Sequence, residues 1–347
     1  MDVSLFDYEL PKELIAQRPV EPRDQARLLV LPRRGGEGRL LLHERFANIG
    51  RYLKAGDLLV FNRTRVMPAR LIGRKADSGG KVECFLLSPA MAEADTGQWS
   101  CLVKPGRRLS PGTRLVFGEG ELEGVIGERT QDGGRLVQFT GQGSFINTLQ
   151  KLGQTPLPPY IREALADPER YQTVYGDTPG SAAAPTAGLH FTAQTIEGLC
   201  NMGVEITRVL LHIGLDTFRP VRTKQVEEHQ MHAEYCEVPE ETALAINRAR
   251  EEGRRIIAVG TTALRTLETF GREGHLKSGA CRTDLFLYPG KPLYVVDGLL
   301  TNFHLPRSTL LMLVSTVAGR ERVLEAYREA IREGYRFFSF GDAMLIL

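Results

Sequence analysis

The spacing of hydrophobic and polar positions changes twice along the chain. Residues 1–61 read as an extended start, a helix around Phe46 to Lys54, and a strand from Asp57 to Phe61 after the stop signal Gly56. From about Arg63 to Gly143 the pattern is short β-type runs, VECFLLS, QWSCLVKP, TRLVFG, LEGVIGE and RLVQFTG, separated by the turn sequences DSGG, SPGT and QDGG. Strands at this spacing with no long helix between them predict a small antiparallel barrel. After Ser144 the helical period returns, with helices near 193–202, 240–252, 262–271 and 320–333 alternating with the strand-like runs VEITRVLLHI, RRIIAVG, TDLFLY, YVVD and RFFSF. The N-terminal piece is too small to bury a core by itself. The pattern therefore predicts a mixed α/β main domain made of residues 1–61 plus 151–347, interrupted by an inserted β-barrel domain of residues 62–150.

At 347 residues and 42% hydrophobic content, the chain can bury a substantial core. It has no apolar run of membrane-spanning length, and MDVSLFDYELPKEL lacks the basic start and apolar stretch of a signal peptide, so the expected location is the cytoplasm. Five scattered cysteines without a C-x-x-C pair fit reduced thiols. The net charge of only +2 means that any attraction to nucleic acid must be local. Residues 62–75 hold Arg63, Arg65, Arg70, Arg74 and Lys75, and residues 104–114 hold Lys104, Arg107, Arg108 and Arg114, neither stretch with an acid. Such basic loops suit phosphate contacts, and Tyr160, Tyr171 and Tyr175 could stack an extruded base; on the residues alone, solvated strand edges protected from aggregation are the commoner explanation.

Five segments of the second half set titratable or hydroxyl groups inside apolar stretches: PTAGLHFT, LLHIGLDTFRPV, GTTALRTLE, LTNFHLPRSTL and FFSFGDAML. A buried polar group without a partner costs roughly 1–3 kcal/mol, so five such segments point to a shared polar pocket. In GTTALRTLE a strand runs through Gly260 into a helix whose free N–H groups can hold an anion; an ordinary threonine cap with Arg265 and Glu268 as a surface pair is the plainer alternative. His190 falls at a loop-to-helix junction, His212 at the carboxyl end of a strand, and Asn302 and His304 before the helix opened by Ser308; each histidine can move a proton near neutral pH. Asp342 is either a turn residue or a carboxylate aimed into the pocket. His229 and His232 form an H-x-x-H in a loop, without the third ligand and helical spacing of a zinc site, so no metal is expected.

These segments, with LFDYELPKELIAQRPVEPRDQARLLVL, GDLLVFNRTRVMPARL, TPLPPYI and RYQTVYGDTPGSAAAPTAGLHFT, occur in an order that resembles the bacterial S-adenosylmethionine:tRNA ribosyltransferase-isomerases of queuosine synthesis. The resemblance implies an enzyme that transfers and isomerises the ribosyl part of S-adenosylmethionine onto a 7-aminomethyl-7-deazaguanine in the tRNA anticodon, releasing adenine and methionine. It further implies His190, His304, His212 and Asp342 as catalytic candidates. Thr186, Gly188, Gly260, Thr261, Thr262, Arg265, Glu268 and Asn302 become candidates for the S-adenosylmethionine site. Arg63, Arg65, Arg70, Arg74, Lys75, Lys104, Arg107 and Arg108, with Tyr171 and Tyr175, become candidates for tRNA binding, and neither a metal nor an obligatory protein partner is implied. Asp216 stands where the family usually has glycine and is not carried over as a site residue.

Two other readings compete. A conventional S-adenosylmethionine methyltransferase should show a glycine-rich loop after its first strand, and this chain does not. A simple RNA-binding module would account for the barrel and its basic loops, but not for the polar segments of the second half.

Overall fold

A computed structural model describes residues 1–32, 41–89, 97–130, 133–163, 165–214, 221, 223–271 and 274–347. By compactness the chain divides into two units, Met1–Arg65 with Pro158–Pro179 and Ala184–Leu347, and Val66–Leu157 with Gly180–Ala183. The first is built on a nine-stranded sheet. Its order is Gly279–Thr283, Glu234–Val238, Glu205–Leu211, Leu58–Asn62, Ile256–Val259, Gly298–Asn302, Ala343–Ile346, Arg27–Leu31 and Leu42–Arg45.

The four strands from Glu205–Leu211 to Gly298–Asn302 are mutually parallel. Three of them are buried at every position, as parallel strands covered on both faces must be. Their side chains alternate between two cores: Leu58, Val60, Ile256 and Ala258 join one, and Leu59, Phe61, Ile257 and Val259 the other. Parallel pairing also brings the carboxyl ends of these strands to one edge, where Asn62, Leu211, Val259 and Asn302 lie side by side. Ala343 pairs antiparallel with Asn302, so Asp342 reaches the same edge.

In the second unit six strands, Arg135–Gly141, Gln98–Lys104, Lys81–Pro89, Arg70–Lys75, Arg114–Phe117 and Leu122–Arg129, close an antiparallel barrel. Trp99, Phe117 and Phe139 fill it, and Phe145 of the helix Phe145–Leu152 stacks on Phe139 at 5.2 Å between ring centroids. The expected class, mixed α/β with an antiparallel barrel, is the one observed.

Some elements differ from the expectation. The segment Phe46–Tyr52 is a 3-10 helix. Of TDLFLY only Thr283 belongs to a strand, and YVVD lies just before the strand Gly298–Asn302. RFFSF forms no strand beyond a single bridge from Phe337 to Ile15. For RFFSF and YVVD the cause is visible. Phe338 has φ of 70°, which turns the chain out of extended geometry, and Glu268 accepts the N–H groups of Tyr294, Val295 and Val296, doing the work of a strand partner.

Candidate active site

At the carboxyl edge of the parallel strands lies a cavity of about 800 Å³, part of it open to solvent. Its walls come from Tyr160, Ala184–Ala187, Ile213, Gly260–Thr262, Thr301–Asn302, His304–Pro306, Ser308, Leu310 and Phe338–Ser339. Its position is where open α/β sheets bind ligands. Of the expected cofactor contacts, Thr186, Gly260, Thr261, Thr262 and Asn302 are here, and so is His304.

Gly260 has φ 91° and ψ 153°, a conformation essentially restricted to glycine, and it lets the strand Ile256–Val259 turn directly into the helix Thr261–Phe270. No side chain caps that helix, so its first N–H groups face the cavity region as a ready anion site. Asn62 braces the turn, donating Nδ2 to Thr262 Oγ1 at 3.0 Å and to Leu211 O at 3.0 Å. Opposite, Asn302 Oδ1 accepts from Thr186 Oγ1 at 2.9 Å and its Nδ2 donates to Phe338 O at 3.1 Å. The strained Phe338 is thereby pinned in the wall, with Tyr160 packed on it at 4.8 Å and the Tyr160 hydroxyl 2.7 Å from Ser339 Oγ. Asn62, Thr301, Phe338 and Ser339 were not singled out from sequence, although all four lie in the motifs quoted above.

All three candidate histidines favour the neutral form. His304 Nε2 lies 2.8 Å from Thr301 Oγ1, its N–H donates to the Tyr327 hydroxyl at 2.9 Å and its carbonyl accepts from the Tyr8 hydroxyl. Burial pushes its pKa down to about 3. His212 has Nδ1 2.8 Å from Thr64 Oγ1, stacks on Tyr235, and is lowered to about 4 by burial and then by Arg63. His190 lies behind the wall, stacked on Phe46, with Nδ1 3.1 Å from Ala187 O and Nε2 3.0 Å from Gly341 O. A neutral imidazole has one N–H and can donate to only one of these carbonyls at a time; burial still lowers the pKa, against the raising influence of both carbonyls and of Asp342. A standing imidazolium acid is therefore not available from His304 or His212 at neutral pH.

This has a measurable consequence. Histidine in the unfolded chain binds its proton near 6.5, whereas folded His304 binds it only near 3. The folded state thus carries fewer protons between these values. The stabilising contribution is complete above about 6.5 and falls as pH drops toward 3, by roughly 1.4 kcal/mol per pH unit for one such group. Urea unfolding at about pH 7 and about pH 5 should show the loss, and His304→Gln should shrink it; an identical pH dependence in the variant would contradict the assignment.

Other expected site residues are engaged elsewhere. Arg265 is buried, ion-paired with Glu234, and donates to Leu285 O at 3.1 Å; Glu268 is the backbone acceptor described above, and neither side chain lines the cavity. They are not a surface pair. Asp342 accepts from the N–H groups of Arg27 at 2.9 Å and Arg336 at 2.7 Å, holding two segments at the sheet edge. Gly188 sits behind the wall, against Tyr175. Ser308, although in the cavity wall, also caps the helix Thr309–Ala318. Among the described residues no group of three or more His, Cys, Asp or Glu gathers as a metal site, and His229 packs edge-on against Phe286.

Of the basic candidates, Arg63 pairs with Glu237, Arg65 with Glu169 and Arg70 with Glu83. Arg74 donates to Gly118 O and Lys75 to Arg108 O, while Lys104 and Arg108 are exposed. Tyr171 and Tyr175 are 0% and 7% exposed, packed against Phe340 and Phe61, so neither presents a free face to a base. The Arg107 side chain and Asp216 lie outside the described residues.

Comparison with known proteins assigns the class. A family model described as "Queuosine biosynthesis protein" matches residues 3–346. Proteins named S-adenosylmethionine:tRNA ribosyltransferase-isomerase from Heliobacterium modesticaldum and Carboxydothermus hydrogenoformans are 57% and 56% identical, covering 100% of both chains in each case. The crystal structure of S-adenosylmethionine tRNA ribosyltransferase from Thermotoga maritima is 43% identical, covers 99% of this chain and 100% of its own, and superposes with a TM-score of 0.57. An α/β unit with a cavity at its strand ends, and full-length relatives so named, define an enzyme of the transferase and isomerase class. The chain belongs to the queuosine biosynthesis protein family.

Proposed function

We propose that the chain transfers the ribosyl moiety of S-adenosylmethionine to the aminomethyl group of 7-aminomethyl-7-deazaguanine at the tRNA wobble position. Isomerisation gives epoxyqueuosine-tRNA, and adenine and methionine leave. The observation that carries the reading is the cavity, where Thr186, Gly260–Thr262, Asn302 and His304, from three separate segments, converge on one edge of the sheet. The open helix start at Gly260–Thr262 suits the carboxylate of the methionyl portion. His304, neutral at working pH, suits a role as base or hydrogen-bond partner toward the substrate amine or the carbon next to sulfur. His190 and His212 remain candidates for the other proton transfers. Asp342, Arg265 and Glu268 act in this reading by holding the walls, not by touching the ligand.

The test is to incubate the purified protein with S-adenosylmethionine and tRNA bearing 7-aminomethyl-7-deazaguanine, then measure nucleoside masses with free adenine and methionine. Epoxycyclopentanediol-modified nucleoside with equal release of both small products is the expected result. A methyl-sized mass gain with S-adenosylhomocysteine would mean a methyltransferase, and tRNA binding with no mass change would leave only a binding module.

A further inference from the structure

Beside the cavity runs a narrow crevice lined by Arg23, Arg170, Arg336, His190 and Ser339; Ser339 lines the cavity as well. Among the described residues Arg23 donates to backbone carbonyls alone, to Gln172 at 2.6 Å, Glu169 at 2.9 Å and Leu189 at 3.5 Å. Burial, and then repulsion from Arg170, holds its pKa below the usual arginine range. Arg336 donates Nη1 to Arg18 O at 3.2 Å, while its Nη2 is buried without a hydrogen bond. The nearest carboxylate oxygen of Asp342 is 3.7 Å from that nitrogen, and Asp342 is already taken by two backbone N–H groups. Arg170 pairs with Glu21, which is largely exposed, and donates to Val20 O at 2.8 Å. Among the described residues, then, three guanidinium groups line one half-buried crevice: Arg170 is paired with Glu21, Arg336 lies 3.7 Å from a hydrogen-bonded Asp342, and Arg23 feels Glu21, Asp167 and Glu169 without pairing directly with any of them.

Loop anchoring explains the carbonyl bonds but not the meeting of three guanidinium groups in one crevice or the Arg336 Nη2 left without a hydrogen bond among the described residues. A planar guanidinium pairs best with a two-oxygen anion, and in nucleic-acid recognition phosphates fix position while bases carry identity. We propose that this crevice holds a phosphodiester of the RNA substrate, adjacent to the nucleotide whose base enters the cavity. The proposal rests on the RNA-modifying reading above and deepens it. Arg336 and Arg23 are the principal contacts, and Ser339 links the phosphate subsite to the Tyr160–Phe338 wall.

The test compares the full-length protein with Arg336→Gln, Arg336→Lys and Arg23→Gln. It measures the Kd for tRNA bearing 7-aminomethyl-7-deazaguanine across a salt series and the KM for each substrate, after thermal unfolding has shown which variants fold. Arg336→Gln should weaken tRNA binding about tenfold and lower the slope of log Kd against log salt by about 0.7–0.9, with the KM for S-adenosylmethionine unchanged. Arg336→Lys should keep most of the slope. A loosened loop would weaken binding without changing the salt slope, so an unchanged slope in both glutamine variants overturns the proposal. A raised KM for S-adenosylmethionine with unchanged tRNA affinity would give the crevice to the methionyl carboxylate and also overturn it. Wild-type turnover tests the functional reading separately, and the salt slope tests the crevice.

Discussion

Glu234→Ala is expected to lower the free energy of unfolding by about 3–5 kcal/mol, because it strands a buried guanidinium. Glu234 is 8% exposed and Arg265 3%. The carboxylate pairs with Arg265 through one oxygen and accepts from Gly214 N through the other at 2.8 Å. Truncation leaves Arg265 with only the Leu285 and Thr283 carbonyls for its charge, and it removes the tie between the helix that starts at the cavity and the strand Glu234–Val238. Urea denaturation of Glu234→Ala, Arg265→Met and the double variant Glu234→Leu with Arg265→Met checks this. The double variant should lose less than the sum of its parts, since removing both charges together removes the desolvation penalty of each. Additive losses would mean that the pair does not act as a unit.

The largest expected loss of activity comes from Gly188→Ala. A Cβ at this position would stand 1.9 Å from the Tyr175 hydroxyl oxygen and 2.8 Å from Thr173 Cγ2. Tyr175 cannot retreat easily, because it stacks on Phe61 at 4.3 Å within one of the two sheet cores. The loop carrying Thr186 and Ala187 must therefore shift, and a displacement on the order of 1 Å near reacting groups can reduce turnover on the order of 10²-fold. The strain itself costs about 1–3 kcal/mol. Among the described residues the Tyr175 hydroxyl has no hydrogen-bond partner, so adding Tyr175→Phe should restore part of both activity and stability. No recovery in the double variant would show that the damage arises elsewhere.

How much of this was readable depends on where the information lies. The helices Ala193–Asn201, Glu240–Glu251, Thr261–Phe270 and Arg320–Arg332 fall within a residue or two of their expected positions, because each is an amphipathic period bounded by local stop signals. The barrel strands from Lys81 to Gly141 were readable for the same local reason, being short runs cut by glycine and proline turns. Arg70–Lys75 was not. Its arginines and lysine fit phosphate contacts or a solvated strand edge without marking a particular strand; the segment is a barrel strand whose Arg70 pairs with Glu83 of the neighbouring strand.

The apolar runs LFLY and FFSF misled because hydrophobicity reports burial and not extension. Phe338 is buried in a turn held by Asn302, which is 36 residues away in sequence. Glu268 illustrates the same limit from the polar side. At i,i+3 from Arg265 it looks like half of a surface ion pair, but it binds backbone N–H groups 26 to 28 residues downstream.

By itself, then, the sequence determined the class of fold, the inserted barrel pattern, the family resemblance and the five segments that carry polar groups into apolar surroundings, since all of these are local periods or contiguous motifs. Only the tertiary structure decided which of those groups share a cavity, that His304 and His212 are held neutral, that Arg265, Glu268 and Asp342 are anchors, and that three distant arginines meet beside Ser339. Those outcomes depend on strand order and on burial. Both are set by long-range packing, which brings together residues whose separation along the chain says nothing about their distance in space.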